Sequence, residues 1–265
     1  MGVTLVKGDL NNATALQQLI SGSEAVIHAA GAVRGSSQHD FDRVNVTGTA
    51  NVLAAVAAQS RAARLLLVSS LAAREPELSW YAASKRKAEA LLEQQPELDW
   101  VILRPPAVYG PGDKEMLPVF QAMARGIAPV PGDPDARTSL VHVTDLVPAL
   151  IECLQVRATK HRTLTLCDGQ PNGYNWREMA DTVGLVWGRK VRLWQVPRWL
   201  LDGLAWVNLK GARLTGHMPM LTPPKLRELR HSNWVVDNRI VTEITGWEPL
   251  TNLRNGLEQL HKAEL

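Results

Sequence analysis

Short apolar runs alternating with helix-period stretches dominate the first half of the chain. Arg64-Leu65-Leu66-Leu67-Val68 is a run of strand length with no polar position inside it, which predicts a strand buried on both faces. Val3 to Lys7, Ala25 to Ala29 and Trp100 to Leu103 have the same character, and each ends in turn or polar residues. Between them, Ala13 to Ile20, Phe41 to Gln59 and Trp80 to Glu93 repeat apolar residues at helical spacing. This alternation predicts an α/β fold with a doubly wound parallel sheet. Right-handed crossovers then bring the residues that follow each strand, Gly31, Ser70 and Pro105, to one sheet edge.

After Gly110 the pattern changes. Pro111, Pro118, Pro129, Pro131 and Pro134 interrupt it, and a helix near Val143 to Gln155 and a strand at Arg162 to Cys167 follow. The expected division is a sheet domain over 1–112 and a smaller α/β lobe over 113–265, interleaved with the sheet through the 143–155 helix. Seven of the nine Trp lie between Trp176 and Trp247, where they suit a core, a cleft or an interface. The stretch Trp199 to Leu209 is the most apolar of the late segments but is too short and interrupted to span a bilayer. A buried helix is the expectation there, with an interfacial or subunit contact as the alternative.

Composition narrows the classes. With 265 residues, 45% hydrophobic and 21% charged, the chain can bury a sizeable core. The net charge of +3 suits anionic ligands such as nucleotides and is too small to argue for nucleic acid. Cys153 and Cys167 form no paired-Cys motif, and the N-terminus has no signal-like apolar region, so a cytoplasmic setting is expected. There is no Gly-x-Ser-x-Gly elbow and no His-Glu-x-x-His, so a serine hydrolase is disfavoured and no metal is expected.

The chemistry points to Tyr81 and Lys85. Four residues apart on a helix, they share a face, and Ser69-Ser70 stands eleven residues earlier at a strand end. Three Tyr and nine Lys would produce a chance Tyr-x-x-x-Lys about 0.1 times. A phenol beside a cation, with a hydroxyl to hold the reacting oxygen, fits hydride-coupled proton transfer.

Gly8-Asp9-Leu10, Val26-Ile27-His28-Ala29-Ala30-Gly31, Asn45-Val46-Thr47-Gly48-Thr49, Leu103-Arg104-Pro105-Pro106-Ala107-Val108-Tyr109-Gly110 and Val141-His142-Val143-Thr144-Asp145 join those motifs in a fixed order. Together they resemble the extended short-chain dehydrogenases/reductases, the NAD-dependent epimerase/dehydratase group, over nearly the whole chain. The resemblance implies a Rossmann-like sheet domain, NAD or NADP as cofactor, a small-molecule substrate and, as in many relatives, a homodimer. It implies Tyr81 as acid-base, Lys85 as the residue that lowers its pKa and holds the ribose, and Ser70 or Ser69 at the reacting oxygen, with Ser70 preferred. Asp9, Leu10, Ala29, Ala30, Gly31, Asn45, Val68, Ser69, Pro105, Ala107 and Val108 would line the cofactor, and Arg137 the substrate. Asp9 could instead be a turn residue, and Asn45 a bridge between loops.

One element departs from that pattern. No Gly-x-x-Gly-x-x-Gly or Gly-x-Gly-x-x-Gly loop occurs, and the opening β-α-β unit that would carry it has no counterpart, so the expected sheet is truncated at its N-terminal side and cofactor binding is expected to be weakened or lost. Leu71-Ala72-Ala73 replaces the acidic pair that sugar-nucleotide dehydratases carry after the active hydroxyl. A reductase or dehydrogenase is therefore favoured, an epimerase comes next, and an inactive binding or scaffold protein is the alternative of another class.

Overall fold

Four parallel strands carry the residues of interest to one edge. In the computed structural model, which describes residues 2–61, 63–216 and 218–263, α1 (Ala13–Ile20) begins at Asn12, whose side chain accepts from the Ala15 amide. β1 (Ala25–His28) follows, then a short α2 (Gln38–Phe41) held by a reciprocal Ser37–Asp40 capping box. A π-helical stretch, Asp42–Thr47, leads into α3 (Gly48–Ala57). Periodicity alone predicts one regular helix from Phe41 to Gln59. The structure widens it around Asn45, and such wide turns are rare and found mostly at functional sites.

β2 (Arg64–Val68) passes through a 3-10 turn, Leu71–Arg74, to α4 (Trp80–Glu93), which starts at Ser79 with its side chain accepting from the Ala82 amide. β3 (Trp100–Arg104), β4 (Ala107–Tyr109), α5 (Leu117–Ala124), β5 (Ile127–Val130), β6 (Arg137–Thr138) and β7 (Leu140–His142) come next. α6 (Val143–Gln155), β8 (Arg162–Thr165), α7 (Trp176–Trp187), β9 (Arg192–Gln195), α8 (Arg198–Thr215), α9 (Pro223–Leu229), β10 (Asn233–Trp234), α10 (Arg239–Thr245) and α11 (Leu253–Ala263) complete the chain.

The sheet order is β1-β2-β3-β8, all parallel. Leu65, Leu67, Trp100 and Ile102 face α1, α3 and α4, while Leu66, Val101, Leu103 and Leu164 face α6 and α10. Both faces are covered, which is why β2 is apolar at every interior position. A third core, built on Tyr109, Phe120, Met123, Leu140, Val183 and Leu257, holds the second lobe. β8 and α6 follow Gly112 in the chain yet belong to the layers of the sheet domain.

Two expectations are corrected. Val3 to Lys7 forms no strand: Val3 and Leu5 are exposed, and among the described residues nothing pairs with them. A strand needs a neighbour to take up its backbone hydrogen bonds, and the outer strand β1 is paired only with β2. The expected buried helix over Trp199 to Leu209 is the 18-residue α8, of which only one side is buried. Ala205, Leu209 and Ala212 turn inward, whereas Trp199, Trp206, Val207 and Leu214 stand in solvent. Among the described residues, no helix is long and apolar enough to cross a membrane.

Candidate active site

Because the strands are parallel, their carboxyl ends converge. β1 delivers Ala29-Ala30-Gly31, β2 delivers Ser69-Ser70 and β3 delivers Pro105, whose carbonyl accepts from the Leu71 amide at 2.9 Å. α4 begins just beyond this edge, so Tyr81 and Lys85 lie one turn apart, facing it.

The two serines diverge. Ser69 is buried, and its hydroxyl donates to Glu89 Oε1 at 2.5 Å. The Ser70 side chain caps the following turn, accepting from the Ala72 amide at 3.2 Å, and stands beside the Tyr81 phenol. Burial pushes that phenol up to about 12, opposite to the lowering expected from Lys85, which is not among the groups that shift it; hydrogen bonding with Ser70 draws it down, and the charges of Glu228 and Glu115 add to the rise. Lys85 is buried, and its Nζ donates to the Val68 carbonyl at 2.9 Å. Burial lowers it from 10.5 to about 8, with Glu89 acting in the opposite direction. An ammonium has three protons, and among the described residues only the one on Val68 has a hydrogen-bond partner.

Asn45 is a bridge. Its Oδ1 accepts from the Ala32 amide at 2.7 Å, while its Nδ2 donates to the Ala32 carbonyl and to Ser84 Oγ at 3.0 and 2.8 Å. The π-helical stretch thus ties the loop after β1 to α4. Gly31 lies between these parts: a Cβ there would come within 3.1 Å of Asn45 Oδ1 and 3.2 Å of Lys85 Nζ. Behind it, His28 shares a 3.0 Å hydrogen bond with Thr49, and burial followed by repulsion from Lys85 lowers it to about 4.

The remaining expected residues are placed unevenly. Ala29, Ala30 and Gly31 are exposed and Val68, Ala107 and Val108 half-buried, while Pro105 is buried. Asp9 is exposed, and its carboxylate accepts from the Asn11 amide at 2.8 Å, the turn reading of that residue. Leu10 packs into the core against Gly48. Arg137, expected at the substrate, is held by Glu178 at 2.9 Å and by the carbonyls of Asn172 and Gly173. His142 is fully buried, with Nδ1 on Thr144 and, among the described residues, no partner for Nε2.

Several residues at the site had no reading in sequence. Glu89 is fully buried and receives Arg104 through two hydrogen bonds, 2.8 and 2.6 Å. Its spacing of four from Lys85 on one helix was the signal that could have found it. From the second lobe, Lys225 Nζ lies 5.6 Å from the Tyr81 ring centroid and pairs with Glu228 at 2.5 Å, while Ser79 donates to the other Glu228 oxygen. Phe41 meets the Tyr81 ring edge to face at 6.3 Å. No local pattern announces a contact such as that between Ser79 and Glu228, 149 residues apart. A narrow pocket beside Tyr81 is walled mainly by Val33, Phe41, Trp80, Pro219, Met220 and Pro224, with Ser79, Thr222 and Lys225 as its polar members. The larger cavity lies elsewhere, between Pro131–Asp133 and Gln195–Arg198.

Residues 2–166 match the NAD dependent epimerase/dehydratase family. The chain belongs to that family. Within it, the chain is 38% identical over 244 residues to ceramide reductase of Caulobacter vibrioides, covering 91% of this chain and 74% of that one. It is 23% identical to UDP-glucose 4-epimerase of Vibrio cholerae, covering 100% of this chain and 84% of the other. Among solved structures, RMD from Pseudomonas aeruginosa complexed with NADPH superposes with a TM-score of 0.72 at 21% identity, covering 98% of this chain and 89% of that one. MoeE5 in complex with UDP-glucuronic acid and NAD gives 0.73 at 22%, covering 98% and 86%. These likenesses establish the Rossmann-type fold, and the family's members include reductases and epimerases.

The residues present fit one end of the family's cofactor. Lys85 keeps two N–H groups to offer, and Gly31 leaves open the space that a Cβ would take from it. The pyrophosphate end has no glycine loop in this sequence.

Proposed function

We propose that the chain is an NAD(P)-dependent reductase acting on a carbonyl compound of lipid character. The observation that carries this reading is the 38% identity to a ceramide reductase; the side chains grouped beside Tyr81, around a space that holds no more than about a water, are mostly apolar and agree with it. A sugar nucleotide carries many hydroxyls and charges that such walls would leave unpaired, whereas an aliphatic chain suits them. The absence of an acid-base pair at the buried Leu71-Ala72-Ala73 supports the same direction.

In this reading the nicotinamide, when bound, supplies the hydride, and the chain supplies the proton. Ser70 and Tyr81 hold the substrate carbonyl oxygen. With its pKa at about 12, the Tyr81 phenol is protonated at neutral pH and serves as the acid, releasing its proton from Oη to the oxygen as negative charge develops there. Lys85, still charged below about 8, offsets the phenolate left behind and offers its remaining protons to the ribose. Asn45 fixes α4 against the loop after β1, keeping Lys85 in line.

Substituting Tyr81 by Phe tests this. Turnover of a long-chain ketone with NADPH or NADH should fall by roughly two to four orders of magnitude. Cofactor affinity, followed by Trp fluorescence, should change little. Retained turnover would remove Tyr81 from the chemistry, and preferential turnover of a UDP-sugar would overturn the lipid assignment.

A further inference from the structure

α8 presents an apolar face to solvent that nothing among the described residues covers. Leu200, Leu204, Val207 and Leu214 repeat at helical spacing along that face, with Trp199 and Trp206 beside them. Trp199 is 76% exposed, Val207 61% and Leu214 88%. The opposite side, through Ala205, Leu209 and Ala212, is buried. A helix apolar on both sides is ordinarily enclosed, by protein or by lipid.

The surroundings select between those covers. Along the sequence, residues 189–212 contain five basic residues, Arg189, Lys190, Arg192, Arg198 and Lys210, against the single acid Asp202. Asp202 is already paired with Arg230 at 2.7 Å. A second copy docking on this face through a two-fold axis would set like charges against each other. An anionic bilayer surface complements them. Exposed Trp with Lys or Arg at the rim is also the composition of interfacial helices, whose indoles sit at headgroup depth. Trp194, exposed on β9 immediately before α8, extends the set, and Lys210 Nζ lies 5.3 Å from the Trp206 ring centroid, where its stem can cover apolar surface while its charge stays in water. Beyond α8, the chain leads through the exposed Met218 and Met220, and Met220 walls the pocket beside Tyr81.

We propose that α8 docks this protein on an anionic lipid surface, lying in the headgroup plane with Leu204, Val207 and Leu214 inserted and the basic residues against the headgroups. The proposal concerns the outer face of the protein and stands apart from the catalytic reading. Its test contains no substrate and no cofactor, so either can fail alone.

The unmodified chain should co-sediment with vesicles of phosphatidylcholine mixed with phosphatidylglycerol, and less with phosphatidylcholine alone or at high salt. The pair Leu204→Asp and Val207→Asp should lower the partition coefficient by about tenfold or more. Lys210→Glu should weaken binding to the anionic vesicles by at least about fivefold and leave binding to neutral ones unchanged. Circular dichroism checks that these surface variants fold. Should the double variant fail to fold, brominated acyl chains provide the second measurement. They should quench the unmodified protein, and much of that quenching should disappear in Trp199→Phe with Trp206→Phe. Failure to bind anionic vesicles at low salt would overturn the proposal. So would a dimer, seen by light scattering, that the double variant dissociates, because a second copy would then be the cover.

Discussion

Ser69 donates to Glu89 Oε1 at 2.5 Å inside the protein, so the first hydroxyl of the serine pair is committed before any ligand arrives. Ser70 stands beside the Tyr81 phenol, and the proposed reaction uses its hydroxyl. Ser70→Ala should reduce turnover by about a hundredfold or more while costing about 1 kcal/mol of stability through the lost turn cap. Ser69→Ala should act the other way, costing about 1–3 kcal/mol of stability as a buried acceptor loses a partner, with a smaller effect on turnover. Steady-state kinetics and urea denaturation on the two variants separate these outcomes. A dead Ser69→Ala beside an active Ser70→Ala would reverse the assignment.

Glu89 also carries the buried end of an ion pair with Arg104. Removing one partner of such a pair strands the other, so Glu89→Leu should destabilise the fold by about 3–5 kcal/mol. Pairing it with Arg104→Met should recover much of that loss, since an apolar pair of similar volume costs no desolvation. Denaturation midpoints of the single and double variants give the comparison, and additive losses would contradict it.

Lys85 should make activity and stability move in opposite directions with pH. The folded protein releases its proton at about 8, whereas the unfolded chain holds it to 10.5. Between those values the unfolded state binds more protons, so stability rises with pH through this window, by about 3 kcal/mol in all. Over the same window the ammonium that balances the phenolate is lost, and the rate of carbonyl reduction should fall. Lys85→Met should abolish both trends. An activity profile that stays flat through this window would refute the role given to Lys85.

His28 carries the acid side. Its folded value is about 4 against 6.5 for the free side chain, so as pH falls from 6.5 to 4 the unfolded state gains a proton that the native state refuses. Stability should decline by about 3 kcal/mol across that interval. In His28→Gln, which keeps a hydrogen-bonding side chain toward Thr49, thermal midpoints measured along a pH series should show a shallower acid decline.

How much of this was legible beforehand depends on the range of the interaction. β2 and β3 are continuous apolar runs because both of their faces are covered, and the sequence records that directly. Tyr81 and Lys85 are four apart on one helix, so their shared face is a matter of local geometry. Val3 to Lys7 has the composition of a strand and forms none, because pairing depends on a neighbour and not on the segment itself. Lys225 and Glu228 reach Tyr81 from the second lobe, and nothing near them in sequence marks the approach. Arg137 pairs with Glu178, a partner 41 residues away that the sequence does not announce.

The sequence by itself determined the alternation of elements, the parallel sheet and the helical spacing of the proton-transfer pair, since each follows from periodicity and backbone geometry. Tertiary structure alone decided which serine meets Tyr81 and which meets Glu89, what sets the pKa values around Tyr81 and which side of α8 the described residues leave uncovered. Those depend on burial and on charges brought together from distant parts of the chain, quantities that come into being only when the chain has folded.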